Sequence, residues 1–246
     1  MLRVHTAPVC DDCLARLIPQ SMDVCTRCGE TLGAESYFQT GPAECRTCRV
    51  VAPPFECAVA YGTYHDEMRR SLHLLKYECI TSMAKPLGAL LAQAMLSLRD
   101  APPAMLVIAV PLFASKERSR GYNQSILLTD AALPVVRAQR PAWKLQAAHN
   151  KLLRTRETES QFGLAPHQRR ENLKGAFAVA AKDAVRGKDV LLIDDIYTTG
   201  ATARECSRVL LAAGASSVRV ATLARAQMET FGFWRPSAPV QELKVH

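Results

Sequence analysis

The segment that most constrains the fold of this chain spans residues 190–202 and has the sequence VLLIDDIYTTGAT. Four apolar residues open it, as in a strand that is buried on both faces of a parallel sheet, and Asp194 and Asp195 follow at its carboxyl end. Open α/β sheets bind their ligands at that end of their strands. The segment therefore predicts an α/β fold with a ligand site beside the acid pair.

A short loop rich in hydroxyl groups follows the acid pair and leads into a helix predicted over residues 201–213. Gly200 lets the backbone turn tightly, so that free N–H groups and the positive end of the helix dipole face one point, which suits a phosphate. The loop residues are Thr198, Thr199, Gly200, Ala201 and Thr202. The acids beside them can accept hydrogen bonds from vicinal sugar hydroxyls or hold a divalent ion. The open alternative is that Thr199 or Thr202 only caps the helix and that both acids are solvated.

The rest of the chain alternates predicted strands with predicted helices. Apolar patterns indicate strands near 58–64, 105–110, 176–180, 190–193 and 217–223, and helices near 66–77, 83–98, 121–139 and 201–213. Such alternation implies a parallel sheet with helices on both faces. We expect three parts: a cysteine-rich module at residues 1–52, the α/β domain at 53–226 and a C-terminal tail at 227–246.

Six of the nine cysteines form three C-x-x-C pairs in the first 50 residues. Metal binding explains them better than disulfides in a cytosolic chain, because reducing thiol systems keep such cysteines reduced. The pairs Cys25–Cys28 and Cys45–Cys48 have ribbon-like spacing, and four thiolates suffice for a structural zinc ion, so we predict that these four bind zinc. Cys10 and Cys13 have no evident partner. A redox role for a C-x-x-C pair is the alternative, and it lacks the strand-then-helix context of thioredoxin-like motifs.

The formal net charge of +8 suits a polyanionic partner, either a nucleic acid or a phosphorylated small molecule, although it can equally serve solubility. The longest nearly uninterrupted apolar run, residues 104–113, is about half of the roughly 20 residues that a spanning helix needs, so we expect no membrane insertion. The first residues carry charges and a cysteine where a signal peptide has an apolar segment. We therefore expect a cytoplasmic protein.

Residues 190–202 resemble the diphosphoribosyl-binding signature of type I phosphoribosyltransferases. Further motifs resemble successive signatures of the ComF/GntX family, competence-type proteins with a cysteine-rich N-terminus and a phosphoribosyltransferase domain. These motifs are LKY at 75–77, VPL at 110–112, RGYNQ at 120–124 and RENLKGAF at 170–177. The resemblance covers about residues 8–225 and implies the type I phosphoribosyltransferase fold with a small N-terminal zinc module.

The resemblance also implies roles for individual residues. Asp194 and Asp195 would contact the ribose hydroxyls, and residues 198–202 would cradle the 5-phosphate of phosphoribosyl diphosphate bound with Mg²⁺. A basic loop that carries Arg118 and Arg120 would close over the diphosphate, and in an active enzyme these would be the catalytic residues that stabilise the departing pyrophosphate. An ordinary solvated loop is the alternative. Purine-salvage members carry an Asp at the position of Thr198, so purine salvage is disfavoured.

A second basic region has three open interpretations. It lines the same cleft, it lies along the path of an anionic partner, or it is only an exposed arginine-rich face. Its residues are Arg154, Arg156, Gln161, Arg169 and Arg170. For the whole chain the resemblance implies a role in handling single-stranded DNA during natural transformation, together with DNA-uptake proteins. The open alternatives are an active phosphoribosyltransferase of unidentified acceptor, a single-stranded nucleic-acid-binding module, and a sensor that binds phosphoribosyl diphosphate without turnover.

Overall fold

A five-stranded parallel sheet forms the centre of the structure, a computed structural model that describes residues 9–20, 23–33, 41–158 and 166–227. The strand order is β1-β7-β6-β2-β3, and every neighbouring pair is parallel. A separate antiparallel pair consists of β4 and β5. The strands are β1 (Ala58–Thr63), β2 (Ala104–Ala109), β3 (Lys144–Ala147), β4 (Leu152–Arg154), β5 (Phe177–Val179), β6 (Asp189–Tyr197) and β7 (Ser217–Arg225).

Helices cover both faces of this sheet. The α-helices of the described residues are α1 (Asp11–Ala15), α2 (Arg46–Val50), α3 (Asp66–Tyr77), α4 (Ala84–Leu96), α5 (Ala114–Arg120), α6 (Gln124–Gln139), α7 (Pro166–Leu173) and α8 (Ala201–Ala212). Within the described ranges, every helix is too short or too polar to cross a membrane.

The side chains of β6 show how the core divides between the two faces. Leu191 and Ile193 belong to the apolar cluster that includes α3, α4 and α6, whereas Val190 and Leu192 belong to the cluster that includes α8. All four side chains are fully buried. The predicted parallel sheet with helices on both faces is confirmed, and the strand has four consecutive apolar residues because both of its sides are covered.

Residues 114–139 form two helices, where we predicted a basic loop followed by one helix. Helix α5 contains Arg118, ends at Arg120 and is capped by Gly121, whose N–H donates to the carbonyl of Glu117 at 2.8 Å. Asn123 then caps α6 by accepting a hydrogen bond from the N–H of Ser125 at 2.9 Å. The seven residues of α5 are mostly good helix formers, but they are too few and too polar to show the apolar periodicity on which the prediction relied.

Two short strands also differ from the prediction. Strand β5 covers most of the strand predicted at 176–180, but it pairs antiparallel with β4 outside the main sheet. Strand β3 was not predicted, and it forms the edge of the main sheet beside β2 with Leu145 as its one buried side chain. An edge strand with a single buried residue has little apolar pattern, so pairing with β2 determines its conformation.

The four-cysteine part of the module packs on the α8 face of the sheet, whereas Leu17 belongs to the apolar cluster of the opposite face. Cys25, Cys28 and Cys48 belong to the same apolar cluster as Phe55 and Leu210. The predicted boundary near residue 52 stays a prediction, because the module and the α/β domain share this cluster of buried side chains. Apart from Gln227, the predicted tail at 227–246 lies outside the described residues.

Candidate functional site

A cleft of about 1190 Å³ opens at the carboxyl edge of the main sheet. The segments that follow four of its strands line it: residues 64–66 after β1, 110–113 after β2, 198–199 after β6 and 226–227 after β7. Side chains of α3 and α5 also contribute. The cleft lies where the carboxyl ends of parallel strands meet, as the sequence of residues 190–202 predicts.

The predicted acid pair lines this cleft, and one of its carboxylates forms an ion pair with a lysine side chain of the same chain. Asp195 is buried, and its Oδ2 lies 2.5 Å from Nζ of Lys76 on α3. The Oδ1 atom of Asp194 accepts hydrogen bonds from Ser125 Oγ at 3.2 Å and from the N–H of Asp195 at 2.9 Å. Both carboxylates therefore have fixed partners before any ligand binds.

The environment of the pair changes its protonation. Burial and the neighbouring carboxylate of Asp195 raise the pKa of Asp194 to about 7, although Lys76 and the hydrogen bonds oppose the change. Burial by itself would lower the pKa of Lys76, but attraction to Asp195 and Asp194 outweighs it, and the pKa is raised. Lys76 is therefore charged at neutral pH, and Asp194 keeps its proton to a higher pH than an ordinary carboxyl does. Hydrogen bonds donated by a ligand to Asp194 would favour its charged form.

Sequence reasoning assigned no role to Lys76, although the residue lies in the LKY motif. The available signal was its position next to Leu75, which is fully buried on the apolar face of α3. A lysine that is carried into the interior at such a position needs an anionic partner, because an unpaired buried charge is costly. The sequence does not show which acid supplies that partner.

The residues predicted to form the phosphate loop lie together at the start of α8. Thr198, Gly200, Ala201 and Thr202 line a small cavity there with Asp194. Gly200 has a φ of +75°, and a Cβ at this position would overlap the hydroxyl and Cζ of Tyr197 and lie 2.9 Å from its Cε1. The Oγ1 atom of Thr199 is buried and finds no hydrogen-bond partner within the part of the chain that the structure describes.

The two predicted arginines lie on α5 and not on a loop. Arg118 is exposed and lies outside the set of side chains that line the cleft. Arg120 hydrogen-bonds to Gln124, and its guanidinium lies 5.6 Å from the centre of the Tyr77 ring, which does line the cleft. Lys116, one turn earlier on α5, lines the cleft directly, and burial together with Arg120 and Arg154 lowers its pKa.

The second basic region is divided between two surroundings. Arg154 and Arg169 line the cleft, and the guanidinium of Arg154 also lies 5.5 Å from the centre of the Phe177 ring. Arg156 instead donates to the carbonyl oxygens of Asn172 and Lys174 at 2.8 and 3.0 Å. Gln161 and the side chain of Arg170 lie outside the described residues. Cationic side chains therefore line one part of the cleft, and their charge is opposite to that of the acid pair.

The four cysteines predicted as metal ligands form one cluster, in which all sulfur atoms lie within 4.8 Å of one another. Cys28 Sγ and Cys45 Sγ are 3.6 Å apart, close to the separation of about 3.8 Å that tetrahedral zinc with bonds of about 2.3 Å requires. The N–H of Cys25 donates to the carbonyl of Glu30 at 2.7 Å, which closes the turn that presents Cys25 and Cys28. The donor set and its geometry fit a metal such as zinc.

The remaining C-x-x-C pair lies apart from this cluster. Cys10 precedes α1 and Cys13 lies within it, and hydrogen bonds from Cys13 lower the pKa of the Cys10 thiol. Among the described residues, the group of Cys25, Cys28, Cys45 and Cys48 is the one set of three or more potential ligands within metal-binding distance. Within the same described residues, no third potential metal ligand lies close to Cys10 and Cys13.

Comparisons with known proteins agree with this fold. A model described as "Phosphoribosyl transferase domain" matches residues 90–235. DNA utilization protein YhgH of Salmonella typhi is 31% identical over 220 residues, which cover 88% of this chain and 90% of that protein. Competence protein F of Haemophilus influenzae is 31% identical, covering 92% of this chain and 93% of that protein, and competence protein ComFC of Bacillus subtilis is 29% identical, covering 88% and 84%.

These relatives match about nine-tenths of the chain, and the domain model covers more than half of its length. The chain therefore belongs to the phosphoribosyl transferase domain family and, within it, to the ComF/GntX group of competence-type proteins.

Proposed function

We propose that the cleft binds the ribose 5-phosphate part of phosphoribosyl diphosphate, or of a closely related ribose phosphate, and that the chain acts in DNA utilisation or competence. The second part rests on the printed names of its relatives, which are DNA utilization protein and competence protein. We further propose that the cysteine cluster holds a structural Zn²⁺ ion and that the protein works in the cytoplasm, where thiols stay reduced.

The buried Oγ1 of Thr199 carries the ligand proposal. A buried hydroxyl without a hydrogen-bond partner costs free energy, so its presence needs an explanation. This hydroxyl lies in a loop at the amino end of α8, where N–H groups of the first turn have no acceptor within the helix. A phosphate oxygen would accept from both kinds of donor, and it would meet the positive end of the helix dipole.

The other side chains suit the rest of such a ligand. Asp194 and Asp195 would accept hydrogen bonds from the 2- and 3-hydroxyls of the ribose, while Lys116 and Arg154 would neutralise a diphosphate. The acid pair is a poor site for a free Mg²⁺ ion, because Lys76 already neutralises Asp195, and burial together with Asp195 raises the pKa of Asp194. We therefore propose that Mg²⁺ enters with the diphosphate and is held mainly by its oxygens.

Calorimetric titration of the full chain with ribose 5-phosphate, and with phosphoribosyl diphosphate in the presence and absence of Mg²⁺, tests this proposal. Thr199→Val is expected to weaken binding of both ligands about 10- to 150-fold, because one hydrogen bond to a charged oxygen contributes about 1.5–3 kcal/mol. Thr129→Val is the matched control, since the Thr129 hydroxyl is buried in α6 and donates to the carbonyl of Ser125. Equal affinity of Thr199→Val and wild type, or no binding by the wild type, would contradict the proposal.

A second candidate function, the binding of single-stranded nucleic acid in the same cleft, is favoured by Tyr77. Tyr77 is 65% exposed at the cleft, and the centre of its ring lies 4.9 Å from that of His73, at a tilt of 38°, and 5.6 Å from the Arg120 guanidinium. Exposed aromatic rings beside cations are the surfaces on which single-stranded bases stack. The relatives named for DNA utilisation agree with this use.

The two functions give different results with oligonucleotides. If single strands bind in the cleft, affinity for oligo-dT falls steeply with salt, and Tyr77→Ala weakens it about 5-fold or more, because stacking contributes about 1–3 kcal/mol per base. Ribose 5-phosphate affinity stays unchanged in this variant, since the phosphate does not contact the ring. Release of pyrophosphate from phosphoribosyl diphosphate with one of the nucleobases would instead identify the chain as an active transferase.

A further inference from the structure

Arg225 at the end of β7 is a buried cation that contacts both the cysteine module and the phosphate loop. Its side chain is 3% exposed. Burial of a charged side chain requires several well-placed partners, because the charge must be neutralised and each N–H needs an acceptor. The partners of Arg225 therefore show what this residue holds together.

On the side of the cysteine module, Arg225 contacts the turn that carries Cys28. Its Nε donates to the carbonyl oxygen of Cys28 at 3.2 Å, and one of its terminal nitrogens lies 3.9 Å from Cys28 Sγ. The same nitrogen forms a buried ion pair with Glu30, two residues after Cys28. The position of the guanidinium therefore depends on the position of Cys28, a proposed metal ligand, and of the turn that carries it.

On the other side, Arg225 holds the residues that begin the phosphate loop. Its second terminal nitrogen donates to the carbonyl oxygens of Tyr197 and Thr198 at 3.2 and 2.6 Å. The guanidinium also lies 4.4 Å from the centre of the Tyr197 ring, which packs at right angles against Phe55. That ring occupies the space beneath Gly200, so its position determines the path of the loop.

Two further contacts connect the same parts of the molecule. Arg204, in the first turn of α8, donates to the carbonyl oxygens of Val51 and Ala52 at 2.9 and 3.2 Å. Gln227, which lines the cleft, donates to Thr31 Oγ1 at 2.8 Å and accepts from the N–H of Thr31 at 3.3 Å. The loop, its helix and the segment that follows β7 all contact the cysteine module.

We propose that metal binding by the four cysteines and ribose phosphate binding in the cleft are coupled, and that Arg225 is the positioning residue through which each stabilises the other. The inference rests on the proposed function of the cleft. A metal ion fixes Cys28, and with it the carbonyl and the sulfur that face Arg225. Four thiolates around one Zn²⁺ also carry a net charge of −2, which attracts the guanidinium and holds its other end on the loop carbonyls.

By thermodynamic linkage, the coupling must be the same in both directions. Ribose 5-phosphate at saturation is expected to tighten zinc binding about 10-fold, and zinc is expected to tighten ribose 5-phosphate binding by the same factor. Zinc affinity is measured on the full chain by competition with a chelator, with and without ribose 5-phosphate. Affinity for ribose 5-phosphate is measured by calorimetry on zinc-loaded and zinc-free protein, with circular dichroism as the check that both are folded.

Glu30→Gln and Arg225→Lys separate this mechanism from general stabilisation. Glu30→Gln keeps the guanidinium but removes its ion pair, and a lysine cannot reach both sides with one compact ammonium group. Arg219→Lys is the matched control on the same strand, because Arg219 bonds to Ser217 and Asp100 and not to the module. In the zinc-loaded state, the first two variants are expected to bind ribose 5-phosphate about 10-fold more weakly than the control, with zinc content unchanged.

The outcomes distinguish the two proposals. If zinc-loaded wild type does not bind ribose 5-phosphate, the proposed function fails and the coupling fails with it. If binding occurs with the same affinity whether or not zinc is present, or if Glu30→Gln and Arg225→Lys match Arg219→Lys, the function stands and the coupling is refuted. If the zinc-free chain unfolds, the comparison of the zinc-loaded variants decides.

Discussion

Replacement of Gly200 by alanine is expected to distort the phosphate loop and to lower the free energy of unfolding. The structure gives the size of this loss. At a φ of +75°, an alanine pays about 1–2 kcal/mol for the left-handed backbone conformation. Its methyl group would also overlap the Tyr197 ring, which is buried and held by Arg225 and Phe55 and so cannot move freely. Such overpacking costs about 1–3 kcal/mol, for a total of about 2–5 kcal/mol.

Gly187→Ala is the control that isolates the contribution of the ring. Gly187 has a φ of +66°, but a Cβ at that position meets no atom within 4 Å, so only the backbone cost of about 1–2 kcal/mol applies. Urea unfolding of the zinc-loaded protein gives both free energies. Adding Tyr197→Leu to each variant completes the test, because the smaller side chain is expected to remove the extra cost at position 200 and leave the cost at position 187 unchanged.

Ribose 5-phosphate titration of the same variants connects this stability difference to function. Gly200→Ala is expected to abolish measurable binding, whereas Gly187→Ala, at the amino edge of the sheet, is expected to bind as wild type. If the two alanine variants lose the same free energy of unfolding, or if Gly200→Ala binds normally, then the Tyr197 ring does not set the path of the loop. That result would also remove one of the steps by which Arg225 acts.

Lys76→Met is expected to lower the free energy of unfolding in urea by about 3–5 kcal/mol, because it leaves Asp195 buried without its cation. Asp195→Asn in the same chain should recover most of the loss. The control Lys85→Met, at an exposed position, should cost almost nothing. The raised pKa of Asp194, about 7, means that this carboxyl binds more protons in the folded than in the unfolded state between about pH 4 and 7, so its contribution to stability falls as pH rises through that window. Asp194→Asn should remove this fall in the urea midpoint, and an unchanged slope would contradict the assignment. Elemental analysis should find one zinc ion per chain in wild type and in the exposed Cys79→Ser variant, and none in Cys48→Ser.

Local sequence patterns were sufficient for much of the fold. The apolar run of β6 predicted a buried parallel strand because both of its faces are covered, and the apolar spacing of α3 predicted a helix with one buried face. Strand β3 and helix α5 could not be predicted in the same way, since each is short and has at most one buried side chain. Their conformations depend on what they pack against, and a single sequence does not contain that information.

The residues of the candidate site also fall into two groups, those that the sequence identified and those that only the structure showed. Residues 194–202 and the four clustered cysteines could be identified because each set is close in the chain or occurs in short repeated motifs, and the chemistry of a phosphate or a zinc ion determines which residues are needed. Lys76, Tyr77 and Lys116 belong to the cleft only because α3 and α5 pack beside the end of β6. No spacing in the sequence relates Lys76 to Asp195, which lies more than 100 residues later.

The clearest difference concerns Arg225. In the sequence it is one of many arginines, at the end of an apolar strand, and nothing in its neighbourhood predicts a special role. In the fold it is buried between Cys28 and Glu30 on one side and Tyr197 and Thr198 on the other. The sequence alone therefore determined the chemical groups available for binding a phosphate and a metal, because those depend on residue type and local order. Only the tertiary structure decided that the two sites share a buried cation, because that depends on which distant segments the packed core brings together.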